Sequence, residues 1–216
     1  MAEHTTRKPA SRRTSARRPQ RADPTAVART LASKDVEAVA LLHVNNAGVT
    51  LTKSIPLRRF AEVCETGVGL SPVFTVFLSD DSITTSPGVS GPAGDLRLVP
   101  DPEATVALAA LPRWAVAPVD QIQQEGGAWP GCGRSFAKRM LDRLAARGLE
   151  LRGAYELEFF AGKRVRATDG GEEPDPIPGH TGPAYGATVL VDNAAFAVDV
   201  IAALESQGTG VMQFHP

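Results

Sequence analysis

Cysteine is scarce in this 216-residue chain, which contains only Cys64 and Cys132. Two cysteines in a chain of this length do not make a disulfide framework, and their spacing matches no zinc motif. The apolar runs are also too short to span a bilayer, because a transmembrane helix needs about 20 apolar residues. The N-terminal segment lacks the apolar core of a secretory signal. We therefore expect a cytoplasmic protein with no membrane partner.

Acidic residues are few at the N-terminus, where basic ones concentrate. Residues 1–24 carry seven Arg or Lys side chains and two acidic ones, whereas the remaining 192 residues carry 16 basic and 22 acidic ones. The tail has no aromatic residue and cannot bury enough surface to offset its chain entropy, which predicts a disordered basic tail over 1–24. A basic tail can contact nucleic acid. Because the rest of the chain has a net charge of −6, we expect no basic folded face and no nucleic-acid partner.

The hydrophobic pattern predicts an α+β domain over residues 25–120. A helix near 24–32 is followed by strands at 36–44 and 49–55, and the Asn-Asn-Ala-Gly turn between them predicts a hairpin. Further elements are predicted as a helix at 57–64 and strands at 73–78, 95–99, 105–108 and 114–119.

The second half, residues 130–216, predicts a partial α/β domain after a linker at 126–133. A helix at 135–147 places Phe136, Met140, Leu141 and Leu144 on one stripe. Strands are predicted at 149–160, 187–191 and 211–214, with a helix before the last strand that buries Phe196, Val200, Ile201 and Leu204. A chain that stops in a strand with no partner after it is expected to be a truncated piece.

Two carboxylates, Glu156 and Glu158, lie two positions apart in the predicted strand at 149–160. Side chains at this spacing point to one face, roughly 7 Å apart, where each carboxylate could hold one hard cation. The same alternation fits an exposed strand with its acids outside and Leu157 and Phe159 inside. The pattern alone leaves both interpretations open.

Four motifs in a fixed order resemble the glutamine synthetase family over nearly all of residues 36–216. They are TKSIP at 52–56 after the hairpin turn, GDLRLVPD at 94–101, Arg134 at the start of a helix, and GAYELEFF at 153–160. The resemblance implies a β-grasp-like N-terminal domain followed by an incomplete glutamine synthetase-type catalytic α/β domain. It also implies a ligase in which ATP phosphorylates the γ-carboxylate of glutamate, and ammonia or an amine attacks the γ-glutamyl phosphate.

The same resemblance assigns roles to four residues. Glu156 would bind the Mg²⁺ or Mn²⁺ ion on the nucleotide phosphates, and Glu158 the ion that helps to bind glutamate. Asp95 matches an acidic residue that a neighbouring subunit of a homo-oligomer contributes near the ammonium site, and Tyr185 matches a tyrosine that lines the same region. His215 would stand just before a metal-binding glutamate of the family and is not itself expected to be a ligand.

Two departures from the family pattern leave alternatives open. The Asp-Gly-Ser-Ser segment, whose Asp helps to deprotonate ammonium, is replaced by Gly-Val-Gly-Leu-Ser at 67–71, so the acceptor could be an amine. The later metal ligands and the nucleotide pocket of the family would lie beyond residue 216, and no Walker-type motif replaces them. We therefore expect an inactive fragment of a ligase, with a non-catalytic relative acting as a binding or regulatory module as the alternative.

Overall fold

The computed structural model describes residues 22–85, 93–165 and 175–216, so most of the predicted disordered tail lies outside the described residues. The helices and strands follow in the order α1 (Pro24–Ala32), β1 (Ala38–Val44), β2 (Thr50–Pro56), α2 (Phe60–Thr66), β3 (Val68–Leu70), β4 (Leu96–Pro100), β5 (Val106–Ala107), β6 (Trp114–Gln123), α3 (Gly133–Ala145), β7 (Gly162–Lys163), β8 (Ile177–Pro178), α4 (Ala187–Asp192) and α5 (Ala194–Ser206). The predicted α+β class is confirmed. Within these ranges, no helix has both the length and the apolar character needed to cross a bilayer.

Strand β6 lies at the centre of a six-stranded mixed sheet. The strand order is β2-β1-β6-β4-β3, and β5 also pairs with β6. β1 runs parallel to β6, whereas β4 and β5 run antiparallel to it. The predicted hairpin is confirmed, because β1 and β2 are antiparallel neighbours. With α2 in the connection between them, the hairpin and the parallel β1–β6 pair give the predicted β-grasp-like arrangement.

The hydrophobic core lies between one face of this sheet and the helices α1 and α2. Alternate residues are buried along β1 and β6, as the period of two in a strand requires. Phe60 and Val63 of α2 are completely buried and belong to the same cluster as Val39 and Leu41 of β1. Burial of these side chains is the main favourable contribution to the stability of the first domain.

The sheet curls so far that its two edge strands meet. β2 and β3 stand at opposite ends of the strand order, yet the Nζ atom of Lys53 in β2 donates a hydrogen bond to the carbonyl oxygen of Gly69 in β3 at 2.5 Å. One side chain therefore bridges the gap between the two edges.

Helix α3 is fixed to the sheet by charged side chains rather than by its predicted apolar stripe. Arg134 donates hydrogen bonds to Asp101 and to Asp120, and its Nε atom lies 3.1 Å from Asp120 Oδ1. The Nζ atom of Lys138 lies 2.7 Å from the other oxygen of that carboxylate, Asp120 Oδ2. Partial burial acts to raise the pKa of the Asp101 carboxyl, but its interactions with Arg134 and Lys138 outweigh burial and lower that pKa. The stripe residues Phe136 and Leu141 are 54% and 46% exposed.

Two predicted strands are helical. At 73–78 the chain forms a 3₁₀ turn over Pro72–Thr75, because Pro72 favours a first helical position and the Ser71 side chain caps the turn at the Val73 N–H. At 187–191 it forms α4, which ends where Asn193 donates from both its backbone and its side chain to the Val189 carbonyl. In both segments local hydrogen bonds override the β-propensity of valine.

Two other predictions for the second half are also wrong. Residues 211–214 have no strand assignment, and Phe196 of α5 is 46% exposed although it was expected to be buried. The predicted linker at 126–133 has no strand assignment and turns back onto β6, where the backbone N–H of Gln123 donates to the Gly127 carbonyl at 2.9 Å and that of Trp129 to the Gln121 carbonyl at 2.8 Å. The first part of this segment therefore forms a turn that is held to the end of β6 by an isolated bridge between Ile122 and Ala128.

Replacing Phe60 with alanine should destabilise the protein, because the completely buried ring belongs to the main core. We expect a loss of about 3–5 kcal/mol in the free energy of unfolding, measured by urea denaturation. Phe136→Ala is the matched control, since that ring is 54% exposed. Equal losses in the two variants would contradict the assignment of the core.

Acidification should destabilise the fold through His43. This side chain is buried in β1, neither ring nitrogen has a hydrogen-bond partner among the described residues, and its pKa is lowered by burial and by the nearby charge of Lys53. Below the ordinary histidine pKa of about 6.5 the unfolded chain binds a proton at His43 more readily than the folded protein does. The free energy of unfolding therefore has its full value above that pH and falls as the pH decreases. Unfolding free energies between pH 7 and 5 should fall less steeply in His43→Gln. The exposed His180→Gln control should retain the wild-type slope, and an unchanged slope in both variants would contradict the prediction.

Candidate functional site

Asp95 lies at one end of the curled sheet, directly before β4. Since Leu96 of β4 pairs with Gln123 of β6, the residues that flank this pair, Asp95 and Gln124, come together. The Nε2 atom of Gln124 donates to Asp95 Oδ2 at 2.6 Å, and an Nη2 atom of Arg97 lies 3.2 Å from the same oxygen. The Asp95 side chain keeps 38% of its surface exposed, so a negatively charged oxygen is oriented and still accessible.

The backbone of Gly69 forms one wall beside Asp95. A Cβ atom at position 69 would stand 2.8 Å from Asp95 Oδ1, closer than side chains tolerate. Gly69 is also the residue whose carbonyl accepts the hydrogen bond from Lys53. The polar cluster at this end of the sheet therefore comprises Lys53, Gly69, Asp95, Arg97 and Gln124.

The segment that carries Glu156 and Glu158 does not form the strand predicted at 149–160. It has no strand assignment and pairs with none of the described residues. The alternating pattern is present, but a strand also needs a partner for its backbone groups, and this segment has none in the described part of the chain. Both glutamates are exposed, and so are Leu157 and Phe160 beside them.

Glu156 and Tyr185 approach each other through His215. The Tyr185 ring stacks on the imidazole ring of His215 with 4.5 Å between the ring centroids. The backbone N–H of Tyr185 donates a hydrogen bond to the Pro216 carbonyl at 2.8 Å. The Nε2 atom of His215 lies 3.8 Å from Glu156 Oε1. Tyr185 adopts a positive φ of 61°, a conformation that costs about 1–3 kcal/mol in a non-glycine residue. These contacts place His215 between two residues that the family resemblance singles out.

The described residues do not bring all four predicted site residues together. No hydrogen bond or ion pair in the described part of the chain links Asp95 with Glu156, Glu158 or Tyr185. Carboxylate oxygens suit Mg²⁺ and Mn²⁺, so the chemistry of Glu156 and Glu158 fits such ions. Within the described ranges, however, no group of three or more metal-ligating side chains is present. A cavity of about 320 Å³ lies elsewhere, between α1, β5 and the end of α5.

Sequence reasoning missed three members of the cluster around Asp95. Arg97 lies two positions after Asp95 on a strand, a spacing that puts both side chains on one face, so its role could have been inferred. Gln124 could not be identified without the β4–β6 register, and Lys53 could not be identified without the curl of the sheet. His215 was not expected to be a metal ligand, and the structure shows its ring stacked on Tyr185, a contact that the sequence did not indicate.

Comparisons with known proteins agree with this description. Residues 24–129 match the model of the glutamine synthetase N-terminal domain. A curated relative, the gamma-glutamylpolyamine synthetase GlnA3 of Streptomyces coelicolor (strain ATCC BAA-471 / A3(2) / M145), is 43% identical over 193 residues, which are 89% of this chain and 40% of the relative. The chain thus spans about two fifths of the length of that protein.

Solved structures give the same fold. A structure described as a novel glutamine synthase homolog superposes with a TM-score of 0.61 at 24% identity, covering 84% of this chain and 41% of the other. A GmaS–ADP complex also gives a TM-score of 0.61, at 22% identity, and covers 87% of this chain and 40% of that one. From the motifs, the sheet topology and these similarities together, the chain belongs to the glutamine synthetase family.

Proposed function

We propose that this chain is part of an ATP-dependent ligase that joins the γ-carboxylate of glutamate to an amine, with a polyamine as the favoured acceptor. The observation that carries the proposal is the 43% identity, over 89% of the chain, to a gamma-glutamylpolyamine synthetase. The geometry around Asp95 supports it, because an oriented and accessible carboxylate can bind the ammonium group of an amine.

The replacement of the family's Asp-Gly-Ser-Ser segment supports an amine rather than ammonia. Residues 67–71 contain no carboxylate, and part of this stretch forms β3, paired with β4 beside Asp95. Asp95 would then be an accessible acidic group at this end of the sheet for a cationic acceptor.

The proposed reaction needs an acyl group that an amine can attack. Transfer of a phosphoryl group from ATP to the γ-carboxylate turns a poor leaving oxide into phosphate. The ammonium group of the acceptor first gives up one proton to solvent. The neutral amine nitrogen then forms a bond to the γ-carbon, the carbon–oxygen bond to phosphate breaks, and the nitrogen releases a second proton to solvent as the amide forms. Asp95 would bind and orient the amine in the site of a neighbouring subunit of a homo-oligomer. Tyr185 would line the path of the amine.

Glu156 and Glu158 would hold divalent ions, Mg²⁺ or Mn²⁺, in the complete site. Such ions offset the negative charge that develops on a transferring phosphoryl group. A second candidate function, a non-catalytic binding or regulatory module, is favoured by one observation: in the described residues these carboxylates are exposed and join no larger group of ligands.

The purified chain should bind spermidine weakly at Asp95. Replacement of Asp95 by asparagine keeps the shape and removes the charge, so we expect a loss of affinity of about 1.4- to fivefold, as for a partly exposed ion pair worth about 0.2–1 kcal/mol. The measurement is an NMR titration that follows the Asp95, Gly69 and Gln124 signals. Asp199→Asn, an exposed acid on α5, is the control. Equal affinity in both variants would contradict the role of Asp95.

The 216-residue chain alone should not turn over ATP. Of the described residues, Glu156 and Glu158 would each give one carboxylate to one ion, and a hard cation with one carboxylate ligand keeps most of its water and binds weakly. The assay combines the chain with glutamate, ATP and Mg²⁺, and with either ammonium or spermidine, and it measures phosphate release and γ-glutamyl product. Phosphate release that disappears in Glu156→Ala would show that the chain is catalytic by itself.

A further inference from the structure

We infer that Lys53 is a positioning residue for Asp95, and that it acts through the backbone of Gly69. The inference rests on the proposed function for the meaning of Asp95 as an amine-binding group, whereas the geometry is independent of it. Three contacts carry it: Lys53 to Gly69, Gly69 against Asp95, and Asp95 to Gln124.

The first step is the bond between the sheet edges. β3 has three residues and pairs with β4, and among the described residues its other edge has no strand partner. A short edge strand of this kind frays easily. The ammonium of Lys53 reaches across from β2 and binds the Gly69 carbonyl at 2.5 Å. Hydrogen bonds with a charged donor are stronger than neutral ones, and this bond restrains the middle residue of β3.

The second step is the contact between Gly69 and Asp95. A Cβ atom at position 69 would lie 2.8 Å from Asp95 Oδ1, so the Asp95 carboxylate occupies the space that a side chain at this position would need. The Asp95 carboxylate therefore lies against the strand that Lys53 restrains. Gln124 and Arg97 hold the other oxygen, Oδ2.

The third step is the consequence for the acceptor. If β3 loses its restraint, the wall beside Oδ1 becomes mobile, and the carboxylate is oriented only through Oδ2. An amine that uses Asp95 then meets a less organised partner and binds less tightly. Lys53 lies on the hairpin strand β2 and, within the described residues, forms no hydrogen bond or ion pair with Asp95, so its effect on the acceptor is indirect.

The test compares Lys53→Met and Lys53→Arg with Lys163→Met, in which an exposed lysine of β7 is replaced. In Lys53→Met, amide hydrogen exchange at Val68 and Leu70 should accelerate roughly three- to tenfold, the loss expected for one partly exposed charged hydrogen bond. Exchange at Val39 and Leu41 in the central part of the sheet should not change.

A further signal reports on the positioning itself, because the side-chain amide resonances of Gln124 should shift when Asp95 moves. The pKa of His43, which burial and the charge of Lys53 both lower, should rise when that charge is removed, and this change only confirms that the charge is gone. Lys53→Arg keeps a charged donor and should restore the Gln124 signals, whereas Lys163→Met should leave them unchanged.

Gly69→Ala tests the second contact without touching the lysine. The added Cβ should displace Asp95 and shift the Gln124 amide signals, while Gly153→Ala, where a Cβ would meet no neighbouring atom within 4 Å, should leave them unchanged. Spermidine affinity should fall in Lys53→Met and Gly69→Ala and remain in both controls.

The outcomes separate the two proposals. Wild-type exchange at β3 and unchanged Gln124 signals in Lys53→Met would overturn the positioning role, whatever the chain binds. If these signals respond as expected but the wild-type chain does not bind spermidine, the proposed acceptor is wrong and the structural coupling of Lys53 to Asp95 stands.

Discussion

The pairing of strand β6 with its neighbours is the constraint on which the rest of the structure depends. This ten-residue strand pairs with β1, β4 and β5. One of its faces contributes the buried Ala115, Ala117 and Val119 to the core, and the other presents Asp120 to Arg134 and Lys138 of α3. Its end brings Gln124 to Asp95. Core, helix attachment and the Asp95 cluster therefore all follow from the register of one strand.

The two halves of the candidate site differ in how they are supported. Asp95 stands on the sheet, where backbone pairing and three neighbouring groups fix its position. Glu156 and Glu158 lie in a segment that pairs with no strand of the described residues, beside exposed apolar side chains such as Phe160. Large exposed apolar residues are typical of surfaces that another part of a protein covers. In this chain the acceptor side of the proposed site is thus organised, and the metal side is not.

Sequence alone could predict those site residues that stand within short motifs. Asp95 is recognisable in GDLRLVPD, Glu156 and Glu158 in GAYELEFF, and Tyr185 in the GPAY segment at 182–185. Their roles remain proposals. Lys53 and Gln124 stand 42 and 29 residues from Asp95 along the chain, and no motif joins them to it. Contacts over such separations depend on strand register and on the curl of the sheet.

The sequence by itself determined the α+β class, the hairpin at 38–56, the helix α1 and the family, because alternation, turn residues and motif order are local properties. Only the tertiary structure decided that α3 is anchored by Arg134 and Lys138 while Phe136 is exposed. It also decided that 149–160 does not form a strand. The physical reason is the same in both cases: a periodic pattern states which face could be buried, but burial and strand pairing need a partner surface, and that partner lies elsewhere in the fold.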